Sequence, residues 1–115
     1  MPRRTKPDPL ALKIGRRIAG LREEVGMTQE KLAYTSELGS KGHLSNLEAG
    51  LVMPTVATLE TLAEGLELLV ADLVNDPSKG DRAKLLELSR HAPPDLIRRL
   101  VRELRDLAAT KKPKR

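Results

Sequence analysis

Between Ser40 and Gly50 the chain reads SKGHLSNLEAG, a stretch whose polar residues could all hydrogen-bond to base edges. Lys41 donates, Ser45 and Asn46 both donate and accept, His43 does either, and Gly42 presents bare backbone. Leu44 and Leu47, three apart, give the same stretch an apolar underside. A short helix with a buried underside and a hydrogen-bonding top can lie in the major groove of DNA, where each base pair shows a distinct pattern of donors and acceptors. Other chemistry is absent from the pattern. With no Cys, the chain has no disulfide, thiolate metal site or thiol nucleophile, and its two isolated His residues cannot build a metal centre. No nucleophile–base pair and no glycine loop for phosphate appears, so no catalytic residue, metal or cofactor is assigned.

The elements that must position this stretch can be read from caps and apolar spacing. Ser40 is an N-cap residue type, and Gly50 follows as a terminator. Upstream, Thr28 caps a helix that opens with Gln29 and Glu30 and turns Leu32 and Ala33 inward. The turn over Glu37 to Gly39 holds the glycine that a positive φ requires. Before it, Leu10 to Val25 reads as a helix with Leu12, Ile14, Ile18, Leu21 and Val25 on its buried stripe and Gly26 as its stop. After it, Thr55 caps a helix burying Val56, Leu59, Leu62 and Ala63, and Leu69 to Val74 makes a short fifth. With no Phe or Trp and one Tyr, Leu, Val, Ile and Ala must fill the core, which favours an all-α fold.

Three pieces, IGRRIAGLREEVGMTQEKLA, GSKGHLSNLEAG and MPTVATLETLAEGLELLVADLV, resemble in order the helix-turn-helix domain of the Xre family, the bacterial and phage regulators related to lambdoid phage repressors. The resemblance runs from Ile14 to Leu73, about half of the chain. It implies a five-helix lambda-repressor-like bundle with a C-terminal helical extension. It also implies a DNA-binding role for Thr28, Gln29, Ser40, Lys41, Gly42, His43, Ser45 and Asn46. In that reading the Gln29 amide meets a phosphate, Lys41 donates to guanine O6 or N7, and Asn46 pairs with adenine N6 and N7. Arg22 matches a position where the family carries an Arg paired with a Glu, here Glu48; a bidentate pair would lock the first helix to the third.

Two departures from the family pattern stand out. The turn between Gln29 and Glu48 is one residue longer than usual. The loop after Gly50, where relatives carry basic residues, has Leu51, Val52 and Met53; these pack against a partner subunit or the C-terminal region, or only cap the core.

Residues 1–9 read as a flexible basic arm, either a solvated tail or one in which Arg3 and Arg4 reach DNA, 10–76 as the helix-turn-helix domain, 77–110 as a C-terminal helical segment and 111–115 as a basic tail. Asp81 to Arg90 and Asp95 to Ala109 read as helices. The second carries Ile97, Leu100, Val101, Leu104 and Leu107 at near-heptad spacing, a stripe that needs a partner surface and suits dimerisation. Charge is uneven: formally +4 over residues 1–25, −6 over 26–77 and +7 over 78–115, for +5 in all. Basic ends would then supply the salt-dependent affinity for DNA that the acidic middle lacks.

The function expected is a sequence-specific double-stranded DNA-binding transcriptional regulator, a repressor binding a roughly palindromic operator as a homodimer, located in the cytoplasm and not in a membrane. Two readings stay open beside it: an antitoxin-type DNA-binding protein, and a protein-interaction module. Both would use the C-terminal helices to hold a protein partner.

Overall fold

A computed structural model describes residues 5–110, and within them the regular structure is entirely helical. Four helices begin on side chains that accept from their own orphan backbone N–H groups. Asp8 Oδ2 caps α1 (Pro9–Glu24), Thr28 Oγ1 caps α2 (Gln29–Thr35), Ser40 Oγ caps α3 (Lys41–Glu48) and Thr55 Oγ1 caps α4 (Val56–Leu66), at 3.0–3.1 Å. Each such cap is worth about 1 kcal/mol. α5 (Val70–Val74) closes the first unit, which ends at Asn75. Here Asp72 Oδ2 accepts from the Leu69 N–H at 2.9 Å, so the cap comes from inside the helix.

The five helices share one aliphatic core. Ile18, Leu32, Leu44, Leu47, Leu62 and Leu73 are its fully buried large side chains. Removing each from water is worth about 2 kcal/mol. α1 packs on α3 and on α5, and α4 on α2 and α5, so the two helices of the motif are held from behind. Arg17 Nε donates to the carbonyl of Asp72 at 2.9 Å and ties α1 to α5.

The apolar stripes run past the core at two helix ends. Val25, expected to be buried, is exposed because α1 stops at Glu24; Gly26, at φ 75°, then turns the chain so that Met27 packs on the core in its place. Val56, also expected to be buried, is 73% exposed, since it lies in the first turn of α4, one turn outside Leu59. The arm expected over residues 1–9 is shorter at its inner end: Asp8 caps α1, Pro9 opens it, and the Asp8 N–H donates to Gly50 O at 3.1 Å.

The second unit starts at Asp76 and contains a 3-10 turn (Pro77–Lys79), α6 (Asp81–Ser89) and α7 (Pro94–Thr110). Asp76 Oδ1 accepts from the Ser78 N–H and caps the 3-10 turn, which packs on α6. On α7, Leu96, Ile97 and Leu100 are half-buried, and every residue from Val101 to Thr110 is exposed.

Candidate nucleic-acid interface

α3 is the helix whose outer face carries the hydrogen-bonding residues, and its position is set at its last turn. Glu48, buried on the final turn, receives Arg22 of α1 in a two-pronged contact: Nε to Oε2 at 2.8 Å and Nη2 to Oε1 at 3.0 Å. The third guanidinium nitrogen, Nη1, donates to Met27 O at 2.6 Å and fixes the α1–α2 connection to the same side chain. The hydrogen bond that Arg22 donates to Glu48 raises the Arg22 pKa above its ordinary value, outweighing the burial that would lower it. The guanidinium therefore stays charged at every working pH, and its planar fork fixes both distance and orientation.

Gln29, whose side-chain amide was expected to face a phosphate, donates Nε2 to Glu48 Oε1 at 2.8 Å. The Glu48 carboxylate is thus the shared acceptor for α1 and α2. One further hydrogen on the Gln29 amide remains for another acceptor.

Backbone contact supplies the second constraint. A Cβ on Gly15 would meet the Leu47 carbonyl oxygen and lie 2.7 Å from Glu48 O, so α1 rests directly on the backbone of α3. Gly50 ends α3 at φ 75° with no room for a side chain, because a Cβ there would lie 2.6 Å from Leu12 Cα. Only glycine satisfies both demands at that position. The spacing of apolar residues gave no sign of Gly15; a glycine inside an otherwise good helix was its one signal.

The outward face presents Lys41 and Gly42 exposed, with His43, Ser45 and Asn46 half-buried beside them. A Cβ on Gly42 would meet nothing within 4 Å, so no packing in the chain itself calls for glycine there. Ser40 and Thr28 are exposed but use their hydroxyl oxygens as caps. The longer turn is absorbed by two residues in left-handed geometry, Glu37 at φ 56° and Gly39 at φ 102°. Leu38 between them packs on the core. Only the second was legible as a glycine. Leu51, Val52 and Met53 are half-buried, and Val52 packs on the core. Val52 and Met53 also form one wall of a shallow hollow with His43 and Asn46 opposite.

Arg3 and Arg4 lie outside the described residues. On α7, Val101, Leu104 and Leu107 are 54–60% exposed, so the stripe assigned to dimerisation is open along that part of the helix. Tyr34, the one aromatic residue, is exposed on α2 beside a hollow that reaches Ser40 and Lys41, and its sequence neighbours gave no sign of this.

Residues 13–75 match the family described as helix-turn-helix domain. The chain belongs to the Xre family of DNA-binding helix-turn-helix regulators. It is 43% identical over 61 residues to an uncharacterized HTH-type transcriptional regulator, y4dJ, of Sinorhizobium fredii; the match takes in 53% of this chain and 78% of that protein. The restriction-modification controller protein C.AhdI of Aeromonas hydrophila is similar in structure, with a TM-score of 0.53 and 28% identity over 55% of this chain and 94% of its own. In this Xre-family chain the family match ends at residue 75, before α6 and α7.

Proposed function

We propose that the chain is a sequence-specific regulator that binds a roughly palindromic operator as a homodimer and represses transcription from it. The observation that carries the reading is the contrast between the two faces of α3. Its inner face is fixed by the Arg22–Glu48–Gln29 contacts, while its outer face offers Lys41, Gly42, Ser45 and Asn46 to a ligand. A helix held on its inner face and polar on its outer face suits direct readout in a major groove. Lys41 suits a guanine, Asn46 an adenine, and Gly42 lets the backbone approach the duplex closely. The capped N-terminus of α2, with Thr28 and the remaining Gln29 amide hydrogen, suits a phosphate.

The dimer reading is supported by α7. Its exposed Val101, Leu104 and Leu107 continue the line of Ile97 and Leu100, and a second copy of the same helix would cover them. Two α3 helices would then read half-sites about one helical turn apart. The same stripe supports one other reading, in which α7 holds a different protein, as in an antitoxin-type regulator. Light scattering on the purified chain separates them, since the homodimer reading requires twice the chain mass without any partner.

The site reading is tested by Lys41→Ala/Asn46→Ala on a duplex selected from a random library. The double variant should keep wild-type helicity and lose at least about 30-fold of its preference for that duplex, since each of the two base contacts is worth roughly 1–3 kcal/mol. Retained preference would refute the assignment.

A further inference from the structure

From the charge distribution and the exposed side of α7, we infer that Arg102 and Arg105, in line with Arg98, form a second DNA-backbone contact separate from the reading helix. The motif itself is short of cations. Residues 26–77, which include both helices of the motif, carry two basic residues, Lys31 and Lys41, against eight acidic ones. Two of the cations of α1 are already engaged, Arg17 with the carbonyl of Asp72 and Arg22 with Glu48. Duplex affinity depends on cations displacing counterions from phosphates, and this surface has few to offer.

The second unit has them in an ordered row. Positions 98, 102 and 105 follow i, i+4, i+7 spacing and share one ridge of α7, on the side away from Leu100, Leu104 and Leu107. The row spans about 10 Å at 1.5 Å per residue. Phosphates of one strand recur about every 3.4 Å along the duplex axis, so the row matches roughly three of them. Arg98 is paired with Asp95. Arg102 and Arg105 are exposed and form no ion pair among the described residues, and with Ile97 and Val101 they border a shallow hollow. Guanidinium groups held on a helix and not spent on neighbouring carboxylates are suited to phosphate oxygens. Leu100, Leu104 and Leu107 lie away from this row and Ile97 and Val101 sit at the border between the two faces, so a second copy seated on the leucines would leave Arg102 and Arg105 outside the contact.

The proposal rests on the DNA-binding reading and is tested apart from base recognition. Affinity is measured by fluorescence anisotropy on the selected duplex and on a random duplex, from about 50 to 200 mM salt. Arg102→Gln/Arg105→Gln should lower the slope of log affinity against log salt by about 2 per chain, at roughly 0.9 per phosphate, on both duplexes alike. Over that fourfold range the wild type then loses roughly tenfold more affinity per chain than the variant. Arg102→Lys/Arg105→Lys keeps the charges and should keep most of the slope. An unchanged slope in the Gln variant, with wild-type helicity, overturns the proposal. So does an unchanged slope accompanied by lost binding to phosphatidylserine vesicles, which would assign the row to a lipid surface. Lys41→Ala/Asn46→Ala provides the separating arm, since it should abolish preference and leave the slope of α7 in place. If the wild type shows no preference for any duplex, the operator reading fails while the slope comparison on random DNA still decides this one.

Discussion

Removing Arg22 alone should unfold much of the first unit, whereas removing Arg22 and Glu48 together should not. Glu48 is buried at 8% exposure, and its carboxylate accepts from Arg22 Nε, Arg22 Nη2 and Gln29 Nε2. Arg22→Met deletes two of those donors and leaves a buried charge with a single amide. Breaking a buried pair from one side costs about 3–5 kcal/mol, and the lost bond to Met27 O adds about 1 kcal/mol. A unit of this size holds only about 4–10 kcal/mol in total, at roughly 0.05–0.15 kcal/mol per residue, so the single variant should be near its unfolding midpoint in water. Arg22→Met/Glu48→Leu leaves no uncompensated charge, and the half-buried Gln29 amide can return to water; this variant should lie within about 1–2 kcal/mol of wild type. Urea unfolding followed by circular dichroism at 222 nm, with the m-value checked for constancy, measures both. A double variant as unstable as the two single changes added together would refute the reasoning, because it would mean that the two side chains contribute independently. The double variant should also bind DNA more weakly than its stability implies, since apolar contact does not fix the tilt of α3 as a two-pronged ion pair does.

Two further substitutions separate stability from binding. Gly42→Ala meets open space on α3, so it should raise stability by up to about 1 kcal/mol through helix propensity, while lowering operator affinity severalfold if the duplex backbone comes close there. Unchanged affinity would remove Gly42 from the interface. Glu37→Gly should stabilise by about 1 kcal/mol, because Glu37 sits at φ 56° where a side chain is strained, and a drop in the urea midpoint would contradict that.

The parts of the fold that could be read in advance are those written in local chemistry. Thr28, Ser40 and Thr55 are of the residue types that cap helices, and Leu32, Leu44, Leu47, Leu59 and Leu62 follow the helical period, so the elements and most of the core were legible. What remained hidden depends on contacts between distant parts of the chain. Gly15 and Gly20 look alike in sequence, yet a Cβ on the first meets the backbone of α3 and a Cβ on the second meets nothing. The Gln29 amide and the Arg22 guanidinium, seven residues apart, meet on the one carboxylate of Glu48, a convergence that only the fold creates. Val25 and Val56 continue correct stripes past the point where the core ends. The left-handed turn at Glu37 leaves no mark in composition, since nothing about a glutamate announces positive φ.

The central claim is that the polar face of α3 reads sequence, and the ratio of two affinities tests it most directly. The full chain would be titrated, at one fixed salt near 150 mM, against the duplex it selects from a random library and against a random duplex of equal length. The account predicts a preference of at least about 1,000-fold, the lower end for specific regulators. Equal affinities at that salt, for a protein of full helicity, would contradict it.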